Sequence, residues 1–130
     1  MEKNMPKHGN FCWNELMTPD AKKAKEFYRS LFGWEFQERE VGGIPYNMIK
    51  AGGQEGGGLM QISADEAGKI PPHWMTYVNV DNVDESVIKA QKLGAKVIAP
   101  ATAVEDYGRF AILQDPTGAH IGLWQCLKSC

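Results

Sequence analysis

The sequence has little of the chemistry that marks several large classes of protein. Cysteine occurs only three times in 130 residues, at Cys12, Cys126 and Cys130, which is an odd number without C-x-x-C spacing. This usage argues against a disulfide-stapled secreted fold or a zinc ribbon and favours a reducing compartment. Basic residues are not in excess, because 14 Lys and Arg stand against 16 Asp and Glu. The sequence therefore predicts no nucleic-acid partner.

Long apolar runs are also missing. No window approaches the roughly 18 apolar residues of a membrane-spanning helix, and the N-terminal MEKNMPKHGN has no apolar core of the signal-peptide kind. We therefore expect a cytoplasmic address and no membrane partner. With 43% apolar and 23% charged residues, the composition is that of a globular chain long enough to bury a core. The simplest organisation is one domain over residues 1–130.

The first half of the chain predicts the order β-α-β-β-β. NFCWNELM is strand-like, and Thr18-Pro19 predicts a helix start with Thr as the N-cap and Pro at the first helical position. Gly33 is placed to end that helix in a left-handed cap. Three strand candidates, WEFQERE, YNMIKA and GGLMQIS, follow between glycines. Helical spacing predicts one buried stripe made of Ala24, Phe27, Tyr28 and Leu31.

The second half repeats this order after a predicted linker at residues 64–72. HWMTYVNV predicts a strand, and Asn82 opens a capping-box-like start for a helix that Gly94 stops. AKVIAP, GRFAILQ and HIGLWQC predict three more strands. We name the halves module one, about residues 10–63, and module two, about residues 73–126. The predicted class is α+β: paired β-α-β-β-β modules forming a curled, mostly antiparallel, eight-stranded half-barrel with its helices on the convex side.

Four stretches carry a pattern that covers nearly the whole chain: NELMTPDAKKAKEFYRSLFGW, YVNVDNVDES, KLGAKVI and QDPTGAHIGLWQ. The chain resembles the vicinal oxygen chelate superfamily, which includes glyoxalase I, bleomycin-resistance proteins and extradiol dioxygenases. The resemblance implies a half-open barrel around a small-molecule site, and it implies a homodimer for a chain of this length. Because one fold hosts several chemistries, it does not choose among the activities of the superfamily.

Metal-dependent members of that superfamily hold a divalent ion with one side chain from the first strand and one from the last strand of each module. The ligands are usually His, Glu or Gln, and the ion polarises a substrate with two neighbouring oxygens. In this sequence only one of the four positions offers an oxygen ligand, so we expect no metal cofactor. The positions fall on Trp13, Gln61, Met75 and Gly122.

A shifted ligand set is the alternative. A slip of two residues keeps the same strand face and would bring His73, Glu15 or His120 into the cavity, which with Gln61 would make a set of suitable donors. One divalent ion held by these four residues would make the chain a metal-dependent lyase or dioxygenase.

Strand alternation predicts an aromatic-lined pocket, because Trp13, Tyr77 and Trp124 share the cavity face. Glu15 and His120 are the candidate catalytic acid–base residues; a salt bridge between Glu15 and Arg109 is the structural alternative for the acid. We interpret Trp34 and Trp74 as core. Gly52-Gly53 and the glycine run at residues 56–58 are expected to form a flexible hairpin loop over the cavity. The expected ligand-binding residues are Trp13, Gln61, Met75, Tyr77, Tyr107, Arg109 and Trp124.

Three functions remain open from the sequence. The first is a glyoxalase/bleomycin-resistance-like protein that binds a small organic ligand without metal, either to sequester it or to catalyse an acid–base step. The second is the metal-dependent lyase or dioxygenase with the shifted ligand set. The third is a non-catalytic accessory or scaffold protein with a vestigial pocket. Sequestration and catalysis need the same pocket, so the sequence does not decide whether the chain is an enzyme.

Overall fold

The computed structural model describes residues 7–41, 43–63 and 71–127. Over these ranges the chain forms eight strands and two helices in the order β-α-β-β-β repeated twice. The predicted α+β class with two such modules is confirmed, and within each module antiparallel pairs outnumber parallel ones. Most of the predicted linker, residues 64–70, lies outside the described residues. No described helix is long and apolar enough to cross a membrane.

The helices and strands follow the predicted segments closely. Module one contains β1 (Phe11–Thr18), α1 (Ala21–Phe32), β2 (Glu35–Val41), β3 (Ile44–Ala51) and β4 (Gln54–Gln61). Module two contains β5 (His73–Asn79), α2 (Val83–Lys92), β6 (Lys96–Val104), β7 (Gly108–Gln114) and β8 (His120–Cys126).

By contacts the chain divides into two compact units. The first unit is Trp13–Met75, and the second combines the chain up to Cys12 with the chain from Thr76 onward. In the first unit the strand order is β2-β3-β4-β1, and β1 runs parallel to β4. In the second unit the order is β5-β8-β7-β6, and β5 runs parallel to β8. Each unit therefore places the first and last strands of its module side by side.

Helix α1 begins two residues later than predicted. Asp20, not Thr18, is the N-cap, and its carboxylate accepts a hydrogen bond of 3.0 Å from the Lys23 amide. The predicted Thr18 cap was wrong because Thr18 ends β1, where its hydroxyl accepts from the Asp20 amide. The predicted helix end is confirmed, since Gly33 adopts the left-handed conformation with φ of 73°.

The buried stripe of α1 was only partly predicted. Ala21, Ala24 and Tyr28 pack against the core of the first unit, but Phe27 and Leu31 are 57% and 58% exposed. The periodicity is the same for both sets, and only the direction of the helix relative to the sheet decides which residues are covered. Helix α1 therefore leaves apolar side chains uncovered. The buried core beneath it consists of Leu16, Ala21, Ile49 and Leu59.

Helix α2 begins as predicted. The Asn82 side chain accepts a hydrogen bond of 3.0 Å from the Glu85 amide, which is the expected N-cap contact. The helix ends at Lys92 with Leu93 as its C-cap, and Gly94 follows with φ of 100°. The core of the second unit lies between α2 and its sheet and consists of Val80, Val83, Ala111, Leu113 and Leu123.

The glycine-rich segment of module one is a strand and not a loop. Residues 56–58 lie inside β4, so the predicted loop was wrong for these three glycines. Gly52 and Gly53 form the hairpin turn between β3 and β4, as predicted, with φ of 59° and 83°. Gly57 permits close strand packing, because a Cβ there would overlap the Asn14 carbonyl oxygen of the neighbouring strand. Gly57 and Gly58 in β4 therefore allow neighbouring atoms to approach closely.

Candidate functional site

The sheet of the first unit has one face that α1 covers and one that it does not. Leu16 and Leu59 point toward α1. Alternation along the strands then sends their neighbours to the opposite side, which we call the helix-free face. On β1 this face carries Trp13, Glu15 and Met17; on β3 and β4 it carries Tyr46, Met48, Gly58 and Met60.

Three of these side chains form a directed chain of hydrogen bonds. The indole Nε1 of Trp13 donates to the Tyr46 hydroxyl oxygen at 2.9 Å, and that hydroxyl donates to the Glu15 Oε2 at 2.6 Å. Glu15 is only 8% exposed. A buried carboxylate is costly without hydrogen-bond donors, so Tyr46 supplies a partner that Glu15 requires. The sequence indicated Glu15 and Trp13 but did not identify Tyr46.

Gly58 makes this arrangement possible. It lies opposite Glu15 on β1 and opposite Met48 on β3. A Cβ at Gly58 would overlap the hydroxyl end of the Tyr46 ring. Any side chain at this position would therefore displace Tyr46 from Glu15.

The helix-free face of the second unit is built differently. Tyr77 on β5 pairs with Gly122 on β8, and a Cβ at Gly122 would overlap the Tyr77 ring. Trp124 lies over Gly108 in the same manner. Tyr77 is 6% exposed, so its ring is fixed among neighbours. Tyr77 and Trp124 lie on the face predicted for them, and the space at Gly122 holds an aromatic ring.

A short internal repeat explains the similarity of the two units. The last strands contain Gly58-Leu59-Met60-Gln61 and Gly122-Leu123-Trp124-Gln125. In each, the Gln side chain accepts from the first amide of its own module's helix: Gln61 from Ala21 at 3.3 Å and Gln125 from Val83 at 2.8 Å. The predicted cavity face for Gln61 was therefore wrong, since its carboxamide lies at the start of α1. The G-L-x-Q repeat was visible in the sequence, and it makes Gly58 the counterpart of Gly122.

Arg109 also lies on the helix side of its sheet. Its guanidinium forms a two-point contact with the carboxylate of Asp84 in α2, with 3.2 Å between Nη2 and Oδ1. This hydrogen bond raises the pKa of Arg109 and lowers the pKa of Asp84. The predicted salt bridge between Arg109 and Glu15 was wrong, because the strand parity of Arg109 directs it to α2. The structure gives Arg109 a role in holding the helix.

The two candidate histidines, His73 and His120, each lie at the first position of a strand. His120 is exposed at the first position of β8, where it pairs with Gln114. His73 opens β5, and its Nδ1 lies 2.8 Å from the Pro71 carbonyl oxygen. Tyr107 is 46% exposed in the turn before β7. Their predicted roles in catalysis or ligand binding stay predictions.

The cysteines differ in state. Cys12 is a free thiol whose Sγ lies 3.6 Å from the Tyr77 carbonyl oxygen, and burial raises its pKa. A raised pKa keeps the thiol protonated and weakly nucleophilic at neutral pH. Cys126 is disulfide-bonded.

An aromatic cluster lies on the other side of the first unit. The rings of Tyr28 and Trp34 stack with centroids 5.3 Å apart, and Trp74 meets Tyr28 edge-on with its Nε1 donating to the Tyr28 hydroxyl at 3.2 Å. These rings, with Asn14 and Phe32, line an open cleft of about 510 Å³. Trp74 was interpreted as core, but it is 42% exposed.

The donor set does not fit the divalent ion that the superfamily resemblance implies. With Gly58 in place of Gln61, the four positions are Trp13, Gly58, Met75 and Gly122. An indole N–H does not coordinate, glycine has no side-chain donor, and a thioether is too soft for a hard or borderline ion. None of the four supplies a suitable ligand.

Two members of the shifted ligand set have other partners. Gln61 is engaged at the start of α1, and Glu15 accepts from Tyr46. Among residues 7–41, 43–63 and 71–127, no group of three or more His, Cys, Asp or Glu side chains is placed to hold a metal ion.

The comparisons with known proteins agree with this fold. Residues 11–123 match the family model of the Glyoxalase/Bleomycin resistance protein/Dioxygenase superfamily. The chain therefore belongs to this superfamily. A solved methylmalonyl-CoA epimerase from Mycobacterium tuberculosis superposes with a TM-score of 0.67 over 98% of this chain and 94% of that one, at 14% identity. At that identity the superposition shows the shared fold alone.

Two relatives are similar over most of this sequence. The Mycobacterium tuberculosis protein named "Putative glyoxylase CFP32" is 38% identical over 128 residues, which are 93% of this chain and 49% of the relative. The anthracycline biosynthesis protein DauV of Streptomyces sp. (strain C5) is 24% identical over 126 residues, which are 88% of this chain and 46% of the relative. The chain thus spans about half the length of these two proteins.

Proposed function

We propose that this chain binds a small planar organic molecule on the helix-free face of its first unit, without a metal ion. The observation that carries the proposal is the hydrogen-bonded chain of Trp13, Tyr46 and Glu15. It stands where a metal-dependent member would present a last-strand ligand, and Gly58 supplies no donor there. A proton-accepting group and an indole therefore take the place of an ion.

The surrounding side chains suit such a ligand. Met17, Met48 and Met60 share the face with Trp13, and thioethers make favourable contacts with aromatic rings. Ligand pockets are commonly apolar with a few polar groups that fix orientation, which is the composition of this face. The name of the relative DauV, an anthracycline biosynthesis protein, supports a ligand with fused aromatic rings.

If the bound molecule is also converted, Glu15 is the residue that would accept a proton. It is buried and hydrogen-bonded on the ligand-facing side of the sheet, as a positioned base requires. His120 is too exposed to support the same proposal equally well. We therefore place acid–base chemistry, where it occurs, at Glu15.

A binding measurement with two tryptophan variants tests this proposal. Anthraquinone-2-sulfonate, a soluble planar diketone, is titrated into the protein by calorimetry in buffer with EDTA. We expect Trp13→Ala to weaken binding at least about tenfold, the loss of a stacking contact of about 1–1.5 kcal/mol or more. Trp74→Ala is the matched control, because Trp74 belongs to the aromatic cleft on the other side of the same unit.

The two variants also separate the two candidate sites. Binding that is lost in Trp74→Ala and kept in Trp13→Ala would move the ligand to the aromatic cleft and contradict the proposal. The absence of any heat of binding in the unmodified protein would contradict it as well.

We further propose that the chain forms a homodimer in the cytoplasm, without nucleic-acid or membrane partners. The exposed Phe27, Leu31 and Phe32 of α1 support a contact surface, and the doubled length of the relatives supports a pairing of two such chains. Light scattering coupled to size exclusion tests the dimer, and a mass near the 14.4 kDa of one chain at micromolar concentration would contradict it.

A further inference from the structure

The order of donors on the helix-free face specifies what a ligand must offer. The Trp13 N–H is directed at Tyr46, and the Tyr46 O–H is directed at Glu15. Both of these donated hydrogens point toward the Glu15 carboxylate. An ordered run of this kind ends in an acceptor, so the polar end of the site is built to receive hydrogen bonds.

The length of the Tyr46–Glu15 hydrogen bond adds to this conclusion. At 2.6 Å it lies in the range of an O–H donating to a charged carboxylate. Glu15 is 8% exposed, and its face of the sheet also carries Met17 on β1, Met60 on β4 and Met48 on β3. In surroundings of low polarity, a further donor on a ligand would be held more strongly than in water.

This arrangement of side chains is specific to the first unit. Gly58 leaves room for the Tyr46 hydroxyl beside Glu15, and Met48 and Glu15 flank Gly58 on the neighbouring strands. The pair therefore lies at the centre of the face, within reach of a ring that rests on Trp13. The corresponding place in the second unit holds the Tyr77 ring and has no carboxylate.

We propose that Glu15 and Tyr46 together recognise a hydroxyl group on the planar ligand, so that the preferred ligands are phenols or enols and not the unsubstituted ring systems. This inference rests on the proposed function, because it names the ligand class of that same site. The ligand O–H donates to the Glu15–Tyr46 pair while its ring contacts Trp13. Glu15 and Tyr46 are thus specificity-determining residues.

A matched pair of probes tests the inference. One probe is 6-hydroxynaphthalene-2-sulfonate, whose hydroxyl stays protonated at neutral pH, and the other is naphthalene-2-sulfonate, which has the same ring system and one sulfonate but no hydroxyl. Both are titrated by calorimetry in buffer with EDTA, so that the hydroxylated probe does not bind stray metal. We expect the unmodified protein to prefer the hydroxylated probe by about tenfold or more, as a hydrogen bond to a charged group predicts.

Variants locate the source of that preference. Glu15→Gln and Tyr46→Phe are each expected to reduce the preference, which is the ratio of the affinities for the two probes, to less than about threefold. Tyr28→Phe is the matched control, because the Tyr28 hydroxyl also accepts from a tryptophan N–H but lies in the aromatic cleft. It should keep the full preference. Circular dichroism confirms that each variant is folded, and Tyr46→Phe serves if Glu15→Gln does not fold.

The outcomes separate this inference from the proposed function. Equal affinity of the unmodified protein for the two probes would overturn the hydroxyl preference and leave planar-ligand binding intact. A preference that survives both Glu15→Gln and Tyr46→Phe would also overturn it. Failure of both probes to bind would overturn the proposed function together with the inference.

Discussion

The two modules share one backbone plan but place different side chains at its central position. In module one, Glu15 on the first strand pairs with Gly58 on the last; in module two, Tyr77 pairs with Gly122. The Tyr77 ring covers its own glycine, whereas the shorter Glu15 leaves space that Tyr46 fills from β3. The comparison teaches that the glycine is common to both modules, whereas the hydrogen-bonded pair of Glu15 and Tyr46 belongs to module one.

The third strand of each module confirms this reading. Met48 pairs with Gly58 and Ile112 pairs with Gly122, so the residues two positions earlier, Tyr46 and Phe110, correspond. Phe110 has no hydroxyl that could serve a carboxylate. Module two therefore lacks both members of the pair, and its helix-free face is closed by aromatic packing.

The largest effect is expected from filling the module-two glycine. Gly122→Ala would force a Cβ into the Tyr77 ring, which is buried and has little room to move. We expect a loss of about 2–3 kcal/mol in the free energy of unfolding, measured by urea denaturation. Gly58→Ala should cost about 2 kcal/mol, because the clash is with the end of the half-buried Tyr46 side chain and its displacement removes the hydrogen bond to Glu15. A larger loss in the free energy of unfolding for Gly58→Ala than for Gly122→Ala would contradict this comparison of the two modules.

The next effect concerns the hydroxyl that distinguishes module one. Tyr46→Phe removes the donor to a buried carboxylate and is expected to lower the free energy of unfolding by about 2 kcal/mol. Tyr28→Phe, which removes a hydroxyl from the aromatic cleft, should cost about 1 kcal/mol or less.

A double-mutant cycle assigns the Tyr46 effect to its partner. Glu15→Gln and Tyr46→Phe should show a coupling energy of about 1 kcal/mol or more, since the two side chains are in direct contact. Additive losses would mean that the hydrogen bond contributes nothing to stability, and the special role of module one would then rest on geometry alone.

A smaller difference is expected at the start of the helices. Gln125→Ala should cost about 1 kcal/mol and Gln61→Ala about 0.5 kcal/mol, because the bond from Val83 to Gln125 is shorter than that from Ala21 to Gln61. Thermal denaturation of the two variants shows which substitution lowers the stability more. A clear loss for Gln61→Ala with none for Gln125→Ala would show that the repeated glutamines are not equivalent.

The last difference lies in the turns before the final strands. Module one uses Gly52-Gly53, whereas module two uses Asp115, whose carboxylate accepts from the Thr117 hydroxyl and from the Thr117 and Ala119 amides. These bonds lower the pKa of Asp115 below its ordinary value of 3.8.

A depressed folded-state pKa gives stability that is present above pH 3.8 and lost as the pH falls through the lowered value. Asp115→Asn is therefore expected to lower Tm at pH 7 and to differ less from the unmodified protein at pH 2–3. A difference in Tm that is constant from pH 7 to pH 2 would show that the Asp115 charge does not stabilise the turn.

Strand and helix order was predictable because periodicity and turn residues are local signals. GRFAILQ and HIGLWQC match β7 and β8 in full. The face of α1 was harder to predict, since Phe27 and Leu31 continue the helical stripe but extend past the sheet that would cover them. The Thr18 cap failed because Thr18 and Asp20 both suit an N-cap, and the end of β1 decides between them.

The candidate site was predictable only in part. The alternation of side chains along a strand identified Trp13 and Glu15, because both residues lie on the same strand, β1. Tyr46 is 31 residues from Glu15, and nothing local indicates that its hydroxyl reaches across β4. Gln61 was misplaced because the position in β4 was assigned without aligning the two last strands, whereas the repeated G-L-x-Q aligns Gly58 with Gly122.

Elemental analysis of the protein tests the central claim most directly, because the claim is that module one holds an organic hydrogen-bonding site in place of an ion. The protein is purified without a metal-affinity tag, exposed to Ni, Zn, Mn and Fe(II), desalted and assayed for metal per chain. We predict far less than one retained ion per chain. The account would be contradicted by near-stoichiometric metal that is lost in a Glu15→Gln, His120→Ala double variant. That result would favour a metal-dependent lyase or dioxygenase.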